Sequence, residues 1–129
     1  MDFKEVLDSK EDIYPGKKAS DSEIKKAEEQ LQLKFSDEYV EYLKEFGDLS
    51  YESHELTGIT ENNNLNVVFV TEYWRKKNSN ISKEYYVIED LKIDNVVFWQ
   101  DRKGDIYQTI GNEVPKKMYE SLLEYIKST

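Results

Sequence analysis

Side chains able to do chemistry are few in this sequence and do not cluster. His54 is the single histidine, so a Ser–His–Asp relay would have to use it. Nothing local distinguishes a nucleophilic serine, and Ser53-His54-Glu55 reads as an ordinary loop or edge position. Asp90-Leu91-Lys92 has the acid-x-lysine form with which metal-dependent nucleases hold magnesium and activate water. That chemistry needs a second acid on a neighbouring strand, and IEDLKIDN reads instead as a turn carrying exposed charges. DRKGD lacks the alternating acids and closing glutamate of a calcium loop and fits a hairpin turn. There is no Gly-rich phosphate loop. Cysteine is absent, which excludes disulfides, zinc–thiolate sites and cysteine nucleophiles. The 27 acids offer many carboxylate pairs of the glycosidase kind, and nothing selects one. The expectation is a protein that is not an enzyme, with no catalytic residue, no metal and no cofactor.

Charge and aromatic residues carry more information. The formal net charge is −9, and it is unevenly spread. Segment 20–66 holds twelve Asp/Glu against four Lys, a balance of −8, whereas segment 67–83 has one Glu against four Lys/Arg, a balance of +3. Such acidity opposes direct binding to nucleic acid, whose phosphates would be repelled, and favours a basic protein partner. Glu52, Glu55 and Glu61 are therefore candidates to steer a partner, with Tyr51, Trp74 and Tyr107 as aromatic anchors. Trp99, on a predicted hairpin, is assigned to cross-strand packing.

These residues must be positioned by regular elements. The 129 residues fit one domain spanning 1–129, and the aromatic content is too high for a disordered chain. The first residues have no apolar run of the signal-peptide kind, and no stretch reaches the ~20 apolar residues of a membrane span. A cytoplasmic protein without membrane contact, monomeric or homodimeric, is expected. Asp2–Ser9 predicts a short helix, and Pro15-Gly16 a loop. Ser20 and Glu23 form a capping box that opens a helix with Ile24, Ala27 and Leu31 on its buried face. Ser36 caps the next helix, Asp37 and Glu38 complement its dipole, and Gly47 ends it in a left-handed conformation. LNVVFV reads as a buried strand, TEYWRKKNS as a short helix or extended arm, and EYYVIED as a strand. Val96–Gln100 and Ile106–Ile110 form a hairpin around Gly104. VPKKMYESLLEYIKS reads as a closing helix with Met118, Leu122, Tyr125 and Ile126 inward. Helices, antiparallel strands, then a helix make the class α+β.

The run SEIKKAEEQLQLKFSDEYVEYLKEFG resembles the N-terminal signature of the SUKH superfamily, the Smi/Knr-like domains. The positions that carry it are Ile24, Ala27, Glu28, Leu31, Leu33, Tyr39, Leu43 and Gly47. YYVIEDLKIDNVVFWQDRKGDIYQ is similar to the family's two strands and hairpin, and SLLEYI to its last helix, so the resemblance covers about 20–126. It implies a bent antiparallel sheet flanked by an N-terminal helical pair and a C-terminal helix. It also implies a role in binding protein. Many members are immunity proteins that block a cognate toxin, often a nuclease, in bacterial polymorphic toxin systems. Others are regulatory adaptors. The resemblance brings no catalytic motif, and an enzyme is the third alternative.

Overall fold

The computed structural model describes residues 2–129. The element order is α1 (Phe3–Leu7), β1 (Tyr14–Pro15), α2 (Asp21–Leu31), α3 (Asp37–Phe46), β2 (Leu49–Tyr51), β3 (His54–Leu56), α4 (Val67–Lys77), β4 (Tyr86–Asp90), β5 (Val96–Gln100), β6 (Ile106–Ile110), β7 (Lys116–Tyr119) and α5 (Leu122–Ser128). The class is α+β, as the patterning predicts.

The helical pair starts where its caps stand. Ser20 Oγ accepts from Glu23 N–H at 3.1 Å, and Glu23 returns the bond to Ser20 N–H at 2.9 Å. Gln32, in the left-handed region, closes α2. Ser36 Oγ accepts from Tyr39 N–H at 3.0 Å to open α3. The buried stripes are Ile24, Ala27 and Leu31 on α2 and Tyr39, Tyr42, Leu43 and Phe46 on α3. With α1 and α5, which pack together, they enclose the main core.

The antiparallel sheet comes in two parts, β1-β2-β3 and β4-β5-β6-β7. Thr57 joins them, donating its N–H to Ile88 C=O at 2.8 Å and its hydroxyl to Val87 C=O at 2.8 Å. The Pro15 loop contributes β1, pairing Tyr14 with Ser50 and Pro15 with Leu49. The larger sheet is covered on both faces. Tyr86, Ile88, Phe98 and Ile106 belong to the main core, whereas Val87, Val97 and Trp99 pack with Val70 and Trp74 of α4 in a second cluster. Arg75 ties the layers by donating to Leu31 C=O at the end of α2 and to Lys83 and Tyr85 C=O before β4.

Two elements differ from the sequence expectation. LNVVFV is the first half of α4, not a strand. Asn66 Oδ1 accepts from Val68 N–H at 2.9 Å as an N-cap, and Val67, Val70, Thr71 and Trp74 recur at helical spacing on the buried face. Tertiary contact with the sheet overrides the β-propensity of the valines. The closing helix is also shorter than expected, because Lys116–Tyr119 pairs with β6 as the edge strand β7. Ser121 Oγ accepts from Glu124 N–H at 3.0 Å, so α5 begins at Leu122, and Met118 is exposed on the strand.

Gly47 departs from the expected left-handed cap in ψ but not in the sign of φ. Its φ is +75° and ψ −64°, and Asp48 N–H donates to Phe46 C=O at 2.8 Å, which makes a γ-turn of the strained kind. A Cβ built here would lie 1.8 Å from the Lys17 carbonyl oxygen. Gly47→Ala is expected to destabilise by about 2 kcal/mol or more, since backbone strain and collision add. Ser36→Ala is expected to lose about 1–2 kcal/mol, at the upper end for a cap, because the same hydroxyl also donates to buried Gln100. Urea denaturation of both variants, with m unchanged, measures this.

Candidate partner-binding surface

The β2–β3 hairpin pairs Tyr51 with His54 and leaves Glu52 and Ser53 at its tip. Glu52 takes φ +53°, a conformation that favours glycine. A double tie holds it there: its N–H donates to Glu11 C=O at 2.9 Å, and its Oε2 accepts from Glu11 N–H at 3.2 Å. Strand alternation turns Leu49, Tyr51 and Leu56 inward and Glu55 outward. Glu52, Glu55 and Glu61 are all exposed. Among the described residues, none of the three carboxylates is in an ion pair.

The three aromatic candidates are placed differently from the expectation. Tyr51 is fully buried, its hydroxyl bonded to Thr129 Oγ1 and its ring stacked on His54. Trp74 is 7% exposed and donates its indole N–H to Asp90 Oδ2 at 2.9 Å. Tyr107 is half-buried, stacked on Tyr85 at 4.7 Å, with its hydroxyl donating to Asp101 Oδ2. Tyr51 thus packs in the core and offers a partner no ring face, and Trp74 is largely covered, with a small part of it reaching the groove beside α4. The aromatics that do stand in solvent include Tyr14 of β1, 68% exposed, and Phe69 and Tyr73 of α4, 55% and 53% exposed. Reading Phe69 as part of a strand hid the α4 pair, although its four-residue spacing and the Asn66 cap were present in the sequence.

The residues considered for catalysis are engaged structurally. Asp90 accepts from the Trp74 indole and, through Oδ1, from Lys92 N–H at 2.8 Å. Among the described residues no group of three His, Asp or Glu is placed to hold a metal ion. His54 lies beside Glu89, its Nδ1 3.1 Å from both carboxylate oxygens. Glu89 is buried on β4 and also accepts from Glu55 N–H at 3.1 Å and from the Tyr125 hydroxyl. Burial first, then the charge of Glu89, push the Tyr125 hydroxyl far up, so it stays a donor.

An open groove of about 770 Å³ runs between α4 and the β4–β5 turn. Val70 and Trp74 line it together with the exposed Phe69 and Tyr73, and Asn63 and Asn64 also border it. The turn side carries Lys92, Asp94 and Asn95, all with positive φ.

A family model described as SUKH_5, SMI1-KNR4 cell-wall, matches residues 3–129. The chain belongs to this SUKH family. The match begins at α1, so it takes in the segment before Ser20 that the signature does not reach. No curated protein matches the chain at a significant level. No helix among the described residues is long and apolar enough to cross a membrane.

In this SUKH domain the His54–Glu89 pair makes stability depend on pH. The histidine pKa lies above its ordinary 6.5, raised first by the hydrogen bond to Glu89 and further by the charges of Glu89 and Glu52, while burial and Lys10 oppose the rise. A raised histidine pKa means that the folded state binds the proton more tightly than the unfolded chain. Its contribution is fully present below the unfolded value and is lost as pH rises through the folded one. Denaturation midpoints measured from about pH 6 to about pH 9 are expected to fall for the native chain across that window. His54→Gln is expected to remove most of the fall.

Proposed function

We propose that this SUKH chain is a non-catalytic, cytoplasmic protein-binding domain, and specifically an immunity protein that binds and neutralises a basic bacterial toxin such as a nuclease. The observation that carries the reading is the display of Glu52, Glu55 and Glu61 on the hairpin and the loop leaving it. Among the described residues, two of these carboxylates, Glu55 and Glu61, accept no bond, and the third sits on a tip tied to Glu11. Family membership supports a binding role, and the −8 balance of segment 20–66 complements a surface built to hold phosphates.

Exposed carboxylates of this kind act mainly on encounter. Each contributes little alone, while their summed field accelerates association at low salt. The test is association kinetics with the toxin, purified from the host as a complex and separated. In the variant Glu52→Gln, Glu55→Gln, Glu61→Gln the on-rate is expected to fall about tenfold at low salt, with a flatter salt dependence and little change in dissociation. An unchanged on-rate would move the contact away from this hairpin. Failure of the native chain to protect cells that express the toxin would remove the immunity reading itself.

A further inference from the structure

The α4 groove combines an apolar centre with a border of charges of both signs. Its centre is apolar, with Phe69 and Tyr73 one helical turn apart and both more than half exposed. Around them stand Glu72 and Lys76 on the helix and Lys92 and Asp94 on the opposing turn, two charges of each sign, all exposed. None of these four is in an ion pair among the described residues. Asp90, the remaining acid of the lining, is occupied by Trp74 and the Lys92 N–H. Ile93, between the two lining charges of the turn, is 64% exposed.

We propose that this groove is the interface of a symmetric homodimer, with α4 of one copy seated against α4 and the β4–β5 turn of the other. A two-fold contact brings one patch against itself, so the patch must be self-complementary. An apolar centre ringed by two exposed acids and two exposed lysines meets that requirement, because each exposed carboxylate finds a lysine of the second copy. A strongly basic partner finds no net attraction here, which separates this surface from the acidic hairpin. A second copy, itself carrying −9, is repelled by the acidic segments and meets at this groove a nearly balanced lining of two lysines and three acids. Exposed aromatics surrounded by polar residues are the usual composition of such contacts. The inference does not depend on the toxin-binding reading, since a dimer forms or fails to form without the partner.

Light scattering on size-exclusion fractions of the full chain decides it. The native protein is expected at twice the 15.3 kDa chain mass, dissociating on dilution. The double variant Phe69→Glu, Tyr73→Glu changes only exposed side chains and is expected to run as a folded monomer, with far-UV circular dichroism unchanged. Two further variants test the charge pattern: Lys76→Glu with Lys92→Glu, and Glu72→Lys with Asp94→Lys. Each alone is expected to be monomeric, and mixing the two is expected to restore a dimer containing one of each. A native chain that stays monomeric at its highest soluble concentration overturns the proposal. So does a dimer indifferent to Phe69 and Tyr73, or a mixture that fails to reassociate.

Discussion

One buried side-chain amide, that of Gln100, holds the layers of this fold in register. Its oxygen accepts from the Tyr86 hydroxyl at 2.7 Å and from Ser36 Oγ at 3.2 Å. Its nitrogen donates to Glu38 Oε1 at 2.9 Å and to Gly104 C=O at 3.0 Å. All four bonding positions of the amide are used. Its partners lie on α3, β4 and the β5–β6 turn. Glu38 extends the connection by accepting from Leu122 and Leu123 N–H, so a carboxylate in the first turn of α3 caps the start of α5. Burying an amide is unfavourable unless every group is satisfied. The native arrangement of these elements satisfies this one.

The same constraint explains why so many tyrosines occupy the interior. Tyr39 and Tyr42 stack in α3 and reach Thr57 with their hydroxyls, one at its side chain and one at its carbonyl. Tyr86 meets the Ser36 cap, and Tyr125 meets Glu89. A tyrosine buries a large apolar ring and still delivers a polar atom to a distant element. In a chain this charged, those rings supply core volume and their hydroxyls satisfy polar groups at the joints between layers. Thr57 is such a joint, since it takes bonds from α3 and gives them to β4 at the place where the two sheets meet.

Local chemistry made the helical pair and the central hairpin legible in the sequence. Ser20, Ser36 and Asp101 each bond backbone groups within a few residues, and a signal of that range survives in a linear reading. The α4 segment was not legible in the same way. Val67, Val68 and Val70 favour a strand in isolation, and what makes them helical is packing on distant residues, Val67 and Val68 in the main core and Val70 against Val87, Val97 and Trp99 of the sheet. The start of α5 was written in Ser121 and Glu124, but the apolar residues on either side of that cap concealed the change from strand to helix. For the surface, the charged positions were readable and the aromatic ones were not. Glutamates are exposed almost by default, whereas the burial of Tyr51 and Trp74 depends on a distant Thr129 and on Asp90.

The alternation in the β2–β3 hairpin has a consequence for how this domain can diversify. Its inward residues, Leu49, Tyr51 and Leu56, are packed in the main core, while Glu55 points away from it and Glu52 and Ser53 sit at the tip. Stability and surface chemistry are thus written on alternate letters of one short segment. Ser53 and Glu55 can be rewritten with little structural cost, whereas Glu52 is constrained by its tie to Glu11, so surface chemistry here can change at chosen letters while the interior is retained.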